Sequence, residues 1–309
     1  MALLTVILPV LNGMPYLCEA LASLKAQTFR DFEVFLWDNG STDGTLEEAR
    51  KWIPSRIPGR VVTEEPLPLH LCLARMVEET QTEFCARMDA DDVCLPHRFE
   101  QEIRYLEQNP DVSLVGCQIE CIDPQGNFLP KENWARFPVC HEDIVTQMLF
   151  SCSLFHPGIL FRTKTILDCG NYAVASPVED LDLYLRIVQS ARVANLSSVC
   201  MHYRIHPKSI CAIAREGNQH EDLLRATVAR YVEVIFGISP ATYLQLRSQS
   251  YPLAILALLR SAFHQTWNKP HSLISIVFTP TFVFIGRCLT GKRDFVSKAV
   301  FRMIEFLSL

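Results

Sequence analysis

The run Arg87-Met88-Asp89-Ala90-Asp91-Asp92 decides how this chain is read. It follows Glu83-Phe84-Cys85-Ala86, a short β-prone run, so the sequence places it where a buried strand emerges into solvent. Three carboxylates within four residues repel one another unless something positive sits among them. Hard oxygen ligands at this spacing suit Mg2+ or Mn2+, ions that keep waters and bridge to substrate phosphates. The same residues also suit a solvated acidic turn capping a helix that starts near Pro96, and taken alone they do not separate the two.

Working outward, residues 4–9 form a continuous apolar run of strand length, as in a parallel strand covered on both faces. Asn12-Gly13 breaks it, and Pro15 stands where the first turn of a helix accepts proline. Leu17, Ala20, Leu21 and Leu24 give that helix an apolar stripe. Residues 33–37 are a second strand ended by Asp38-Asn39-Gly40, and Ser41-Thr42-Asp43 can cap a helix running to about Trp52. Residues 61–63 are a short third strand, 71–79 a helix and 84–88 a fourth strand. This alternation implies βαβ units and a parallel sheet. Ligands of such sheets bind beyond the carboxyl ends of the strands. The polar loops 9–13, 38–43 and 89–92 all fall at those ends. Independent capping loops have no reason to be polar on one rim only, so the convergence favours a ligand site over a cap.

Further on, the pattern predicts a helix over 96–108, strand-like runs at 112–117 and 118–122, and a turn at 123–126. A helix after His141, a strand over 158–161 and a turn at Cys169-Gly170-Asn171-Tyr172 follow. Residues 181–188 make an amphipathic helix preceded directly by Glu179-Asp180; 199–205 is strand-like, and 216–236 a long helix.

A chain of 309 residues can bury a sizeable core. Its net charge of -5 argues against a nucleic-acid partner, but the charge is uneven. From Tyr251 onward seven Lys/Arg face two Asp/Glu, so the tail is +5 and residues 1–250 carry -5 - 5 = -10. A basic, apolar tail on an acidic body suits an anionic membrane surface. The 17 positions between Lys269 and Arg287 hold no Lys, Arg, Asp or Glu, fewer than the ~20 a bilayer span needs, and Pro270 and Pro280 interrupt them. Phe295, Val296, Ala299, Val300, Met303, Ile304 and Leu307 fall at helical spacing, with Lys298, Arg302 and Glu305 on another face. That helix is either packed on the core or an interfacial anchor. The 12 cysteines include no CxxC, and Cys85, Cys117 and Cys200 lie in apolar runs, which suits buried free thiols in a reducing cytoplasm. The apolar start lacks the basic region and cleavage site of a signal peptide. Neither GxGxxG nor GxxxxGK[ST] occurs, and His202 and His206, on strand and loop, do not make a zinc site.

Three early stretches, Thr5–Asn12 (TVILPVLN), Trp37–Thr45 (WDNGSTDGT) and Ala86–Asp92 (ARMDADD), resemble the donor half of family 2 glycosyltransferases. His156–Arg162 (HPGILFR), Gly170-Asn171-Tyr172, Glu179–Arg186 (EDLDLYLR) and Tyr203–His206 (YRIH) follow in the family's order, as in members that build bacterial surface polysaccharide and lipopolysaccharide. The resemblance covers about residues 4–210 and leaves 211–309 outside.

It implies an α/β fold of the GT-A type, a Rossmann-like, mostly parallel sheet flanked by helices, with a C-terminal helical, partly amphipathic extension. The implied division is a transferase domain over 1–210 (donor half 1–95, acceptor half 96–210) and a helical, membrane-associating region over 211–309. The implied reaction is inverting transfer of a sugar from a nucleotide-diphospho-sugar, by family default a uridine one, to a glycan or lipid-linked acceptor, with Mn2+ or Mg2+ as cofactor. By the same analogy Pro9, Val10 and Asn12, with Asp38 and Asn39, hold base and ribose. Asp89 and Ala90 face the donor, Asp89 and Asp91 the metal-bound diphosphate with Asp91 the direct ligand. His206 lies near the diphosphate or acceptor. Asp180 is the general base and Glu179 a positioning neighbour. Asn39 stands where many relatives carry a second Asp, and Met76 and Thr82 replace common glycines.

The chemistry asks for these residue types in its own right. A nucleoside diphosphate leaves as an anion that a divalent cation neutralises. The acceptor hydroxyl must lose its proton as it attacks, a task for one carboxylate worth ~10²–10⁴-fold. A start-of-helix position favours the ionised form of Asp180. The rivals are a nucleotidyltransferase, which needs a basic, glycine-rich first loop that residues 9–13 lack, and a binding module that retains the fold without turnover. The resulting picture is a cytoplasmic enzyme, peripheral on the inner face of the cell membrane.

Overall fold

All seven residues of β1 (Leu4–Val10) are buried, and the sheet is built around that strand. A computed structural model describes residues 2–130, 136–174, 178–207, 209 and 219–248. The remaining strands are β2 (Phe32–Asp38), β3 (Gly59–Thr63), β4 (Phe84–Arg87), β5 (Val93–Cys94), β6 (Val112–Ile122), β7 (Leu160–Arg162) and β8 (Arg192–Arg204). The helices are α1 (Leu17–Lys25), α2 (Thr45–Trp52), α3 (Leu69–Glu78), α4 (Arg98–Gln108), α5 (His141–Met148), α6 (Thr163–Asp168), α7 (Glu179–Ile187), α8 (Gln219–Phe236) and α9 (Pro240–Ser248).

The sheet runs β3-β2-β1-β4-β7-β6-β8-β5. β3, β2, β1 and β4 are parallel, as their alternation with helices predicts. β7 is antiparallel to both its neighbours, β6 and β8 are parallel, and β5 is antiparallel to β8. The register sets Val10 beside Asp38 and Asp38 beside Thr63, so these strands end on one rim. Arg87 ends β4 level with Ile7, so the acidic loop leaves the sheet next to the end of β1. Chain order reverses between β1 and β4, the kind of switch point beside which ligands of open α/β sheets bind. Leu17, Leu21 and Leu24 of α1 and Phe99, Ile103 and Leu106 of α4 pack into one apolar core with Leu4, Val6 and Leu8 of β1. Each such side chain contributes about 1.5–3 kcal/mol by burial.

Several boundaries differ from those the pattern predicts. α1 begins at Leu17, two residues past Pro15, so Pro15 belongs to the loop. The runs 112–117 and 118–122 are one strand, β6, with register irregularities against β8 that allow both halves to pair. β8 begins at Arg192 and not at 199, because its polar Asn195 is buried and hydrogen-bonded to the Pro138 and Ser153 carbonyls. α7 includes Glu179 and Asp180 in its first turn. α6, only six residues long, is too short to show a period.

The chain divides into two compact units, Met1–Thr227 and Val228–Leu309, with the boundary inside α8. Among the described residues no helix is long and apolar enough to cross a membrane. The uncharged run 270–286, the helix expected over 292–309, Cys211 and Cys288 lie outside the described residues. The ten described cysteines are free thiols, six of them buried.

Candidate active site

The carboxyl rim of the first unit is assembled from four loops, each satisfied by its neighbour. Asn12 adopts φ 54° at the end of β1, a left-handed conformation that Asn tolerates well. Its N–H donates to Ser41 Oγ at 2.8 Å and its Oδ1 accepts from Thr42 N at 2.9 Å. Gly13 N donates to Thr45 Oγ1 at 2.8 Å, and Met14 N donates to Asp43 Oδ2 at 3.0 Å. Asp43 Oδ1 also accepts from Thr45 N at 3.1 Å, so Asp43 satisfies the first amide of α2 from one residue before the cap position, which is Gly44 and not one of the expected Ser41, Thr42 or Asp43. The loops after β1 and β2 are therefore one hydrogen-bonded platform, with Pro9 and Val10 buried in the strand beneath it. Asp38 ends β2 at 1% exposure; its Oδ2 accepts from Ser41 N, and its Oδ1 has no hydrogen-bond partner among the described residues. A buried carboxylate oxygen left open on a ligand rim is suited to an N–H donor from a ligand.

Asn39 does something different from Asp38. Its Nδ2 donates to the Leu67 carbonyl and its Oδ1 accepts from Leu67 N, both at 2.8 Å. That pair fastens the loop after β3 to the platform and explains why Asn stands here: an Asp would have no hydrogen to give the Leu67 carbonyl. Asn39→Asp is expected to lower stability by about 1–3 kcal/mol, read as the midpoint shift in urea at unchanged slope. An unshifted midpoint would show that the loop does not depend on this pair.

The acidic loop leaves β4 beside the platform. Asp89, Asp91 and Asp92 can each offer an oxygen, and these atoms lie within 4.8 Å of one another. Arg87 is the positive charge that so dense a cluster requires: it is 4% exposed, and its Nη1 lies 2.6 Å from Asp89 Oδ2. Asp91 Oδ2 is 2.8 Å from His206 Nε2, and the His206 ring packs against Tyr16 with centroids 5.1 Å apart. Asp92 is 1% exposed; its Oδ1 accepts from Arg204 N at 3.0 Å and its Oδ2 has no partner among the described residues. Burial raises Asp89 and Asp92 above the usual carboxylate range, with Asp91 adding to the rise and Arg87 opposing it. A divalent cation would relieve this arrangement: hard oxygens, mutual proximity and an orphaned buried oxygen fit Mg2+ or Mn2+. Ala90, 8% exposed, belongs to the core cluster and spaces the two aspartates.

A second group of polar side chains comes from α7 and the segments after α5 and α6. Asp180 is half-buried while Glu179, beside it, is 6% exposed. Asp180 Oδ1 accepts from Leu181 N at 2.7 Å, and its Oδ2 accepts from Cys152 Sγ at 3.5 Å. The helix-start amide does favour the ionised form, as expected, but burial outweighs it: the Asp180 carboxyl is raised, with Leu181, Cys152 and Arg87 pulling it back. Behind it, His156 Nε2 and Tyr172 Oη are 2.8 Å apart, and burial, with Arg87 next, drives the His156 pKa well down. The turn Gly170-Asn171, with φ 91° and 56°, is gripped by Arg186, which donates to the Cys169 and Asn171 carbonyls at 2.6 Å each and pairs with buried Asp182.

Three buried arginines escaped the sequence reading because Arg is ordinarily a surface residue. Arg98 donates to the Arg87 and Ile159 carbonyls at 3.1 Å each and pairs with Glu102, both side chains fully buried. Arg204 donates through Nε to the Asp91 carbonyl, through Nη1 to the Asp123 carbonyl and through Nη2 to Glu19, fixing the acidic loop against α1 and β6. Its position in the run Tyr203–His206 was the available signal.

The comparisons fit this geometry. A family model described as "Glycosyl transferase family 2" matches residues 5–169. The chain is 31% identical over 213 residues to the O-antigen biosynthesis glycosyltransferase WbnJ of Escherichia coli, covering 67% of this chain and 81% of WbnJ. It is 33% identical over 189 residues to the amylovoran biosynthesis glycosyltransferase AmsE of Erwinia amylovora, covering 60% and 69%. Among solved structures, residues 1–349 of S. aureus TarS in complex with UDP-GlcNAc superpose with a TM-score of 0.58 at 18% identity, covering 84% of this chain and 81% of that one. A longer TarS chain is covered to 49%. The mannosyltransferase PcManGT of Pyrobaculum calidifontis, in complex with GDP-Man and Mn2+, gives 0.59 at 18% identity, covering 92% and 83%. At such identities the structural likeness establishes the fold.

Proposed function

The chain belongs to glycosyl transferase family 2, and from that premise we propose that it transfers a sugar, with inversion, from a nucleotide-diphospho-sugar to an acceptor hydroxyl in bacterial surface-polysaccharide synthesis. One observation carries the reading. A single rim holds the open Asp38 oxygen and the Asp89/Asp91/Asp92 cluster, with Arg87 paired to Asp89 and His206 to Asp91.

In this reading Asp38 and the platform of Pro9, Val10 and Asn12 receive the base and ribose, with Asn39 holding the adjoining loop. Asp89 and Asp91 face the diphosphate, as Ala90's spacing allows, and His206 fixes the Asp91 carboxylate. Asp91, with Asp89, would hold Mn2+ or Mg2+, whose chemistry when bound is to neutralise the charge that develops on the diphosphate. Asp180 takes the acceptor hydroxyl proton. The acceptor oxygen bonds to the anomeric carbon as the carbon–oxygen bond to the diphosphate breaks, and the nucleoside diphosphate departs. One base and no covalent intermediate give inversion, in contrast to the paired carboxylates of retaining glycosidases. Glu179, buried, holds the start of α7 in place. UDP-GlcNAc and GDP-Man are what two similar proteins carry; a uridine donor and a glycan or lipid-linked acceptor are the proposed pair here. The division proposed is a transferase domain over 1–210, donor half 1–95 and acceptor half 96–210, followed by a helical region 211–309.

The test is a panel of UDP-, GDP- and dTDP-sugars with the purified protein and Mn2+, scored by release of free nucleoside diphosphate. Turnover instead of a nucleoside triphosphate with a sugar phosphate would assign the fold to nucleotidyl transfer.

The +5 tail supports peripheral attachment to the cytoplasmic face of the membrane. Each basic residue near an anionic surface contributes about 1 kcal/mol at modest salt. Replacing Lys292, Arg293, Lys298 and Arg302 by Gln is therefore expected to weaken co-sedimentation with phosphatidylglycerol vesicles by ~10²-fold or more. Unchanged co-sedimentation would remove the tail's charge from membrane binding.

A further inference from the structure

The two oxygens of Asp180 are engaged differently. Oδ1 accepts the Leu181 N–H at 2.7 Å, and Oδ2 meets the thiol of Cys152 at 3.5 Å. Among the described residues Cys152 is the side chain that donates to this carboxylate. The same Sγ lies 3.3 Å from the Leu154 carbonyl. A thiol carries one hydrogen, so Cys152 has two acceptors for a single donor. Burial, with the Asp180 charge next, holds the Cys152 pKa well up, so the proton stays on sulfur. The backbone that carries the thiol is pinned from two sides. Ser153, fully buried, donates through Oγ to the Ile144 carbonyl of α5 at 2.9 Å, and its own carbonyl accepts from Asn195 Nδ2 of β8 at 3.0 Å. Leu154 is 2% exposed, and His156 beyond it is tied to Tyr172 at 2.8 Å. What stays free is rotation of the S–H about the Cβ–Sγ bond.

We propose that Cys152 is a positioning residue for the base: its S–H holds Asp180 Oδ2 while the carboxylate is ionised and turns to the Leu154 carbonyl when that oxygen takes the acceptor's proton. The inference rests on the assignment of Asp180 as the base. The proton passes from the acceptor hydroxyl to Oδ2, and the thiol keeps its own throughout. Without a second acceptor, the new O–H and the S–H would face each other as two donors, one of them unpaired and buried. The Leu154 carbonyl removes that conflict. A thiol is also a weak donor, so it aims the carboxylate while taking little from its basicity.

The test uses Cys152→Ala and Cys152→Ser as full chains. Both remove the sulfur and leave side chains of similar size, but only serine keeps a hydrogen to give. The substrate is the nucleotide-sugar of highest turnover in the donor panel, with water as acceptor. Three quantities are measured: thermal unfolding, calorimetric affinity for the matching nucleoside diphosphate with Mn2+, and the pH dependence of kcat. In Cys152→Ala the acid limb of the kcat profile should move up by about half a pH unit or more, because a hydrogen bond to the charged form favours that form. Below the limb this is a loss of about threefold, and it should shrink as pH rises. Cys152→Ser should keep its acid limb with wild type or below it. Unfolding midpoint and nucleotide affinity should be alike in the two variants. The other titratable groups near Asp180 are the same in both: Arg87 at the end of β4, His156 and Tyr172, and Glu179 and Tyr184 on α7. A difference between the limbs therefore belongs to the donor at 152. Coincident limbs in Cys152→Ala and Cys152→Ser, or a higher limb in Cys152→Ser, overturn the proposal and leave Cys152 a packing residue. Cys152→Val and Cys152→Thr form the same pair, without and with a donor, if either smaller variant does not fold. The base assignment is scored separately in Asp180→Asn. Near wild-type turnover there refutes the base and the proposal with it, whereas an inactive Asp180→Asn with coincident limbs at 152 refutes only the role of Cys152.

Discussion

Asp180→Asn is expected to leave affinity for UDP with Mn2+ within about twofold of wild type and to lower turnover by ~10²-fold or more. The side chain keeps its shape, and Asn Oδ1 can still accept the Leu181 N–H that Asp180 accepts at 2.7 Å. What disappears is a proton acceptor. The structure also gives this base a pH signature. Burial raises the Asp180 carboxyl above the ordinary carboxylate range, and the Leu181 amide, Cys152 and Arg87 only partly restore it. Because the deprotonated form is the working form, activity should fall away on the acid side at a pH above that of an unperturbed aspartate, about 3.9, and hold on the alkaline side. Glu179→Gln should cost less in kcat, since Glu179 is the more buried of the pair and Asp180 the more open. A defect in Asp180→Asn confined to donor binding, or a turnover near wild type, would pass the role to Glu179.

The second large effect belongs to Asp91→Ala, expected to weaken Mn2+-dependent UDP binding by ~10²-fold or more, beyond the 10–100-fold typical of losing a residue that merely supports a metal ligand. The fold should persist. The Asp91 side chain is 28% exposed and bonds His206, while the contact that secures the loop, Arg204 Nε to the Asp91 carbonyl at 2.9 Å, is made by the backbone and survives the substitution. Calorimetry with UDP, with and without Mn2+, and a parallel thermal melt check both halves of this expectation. Equal affinity in mutant and wild type, or metal-independent binding in wild type, would remove the metal from the donor site. Asp92 makes a useful contrast: at 1% exposure and bonded to Arg204 N, its loss should appear first in the melt.

What was legible in the sequence follows from which physical signal each segment carries. β1, and β2 from Val34 to Trp37, announce themselves because both faces are covered, which favours near-continuous apolar runs. The three polar loops at their ends could be placed on one rim from topology alone. The start of β8 was not legible, since Asn195 looks like a loop residue until its two backbone partners are seen. The acidic start of α7 likewise carries cap residues inside the helix. Of the site residues chosen by type and motif order, Asp91 and His206 meet at 2.8 Å, and Asp180 bonds the Leu181 amide at the start of α7. The roles of Asn39, Arg98 and Arg204 were hidden, because each depends on a partner distant in sequence, and a one-dimensional pattern records spacing along the chain, not across it.

The reach of Arg204 sets a rule for recombining such enzymes. The acidic loop lies at the end of the donor half, yet its backbone is held by a residue more than a hundred positions later, and β5, which follows it, pairs with β8. A chimaera that imports residues 1–95 from a relative to change donor preference thus inherits half of a clasp. The graft should bind nucleotide only when the end of β8 is exchanged with it, or when the incoming loop presents the same pair of acceptors to Arg204. During synthesis the same dependence means that a nascent chain halted before residue 204 would carry every donor-side carboxylate and still lack a donor site.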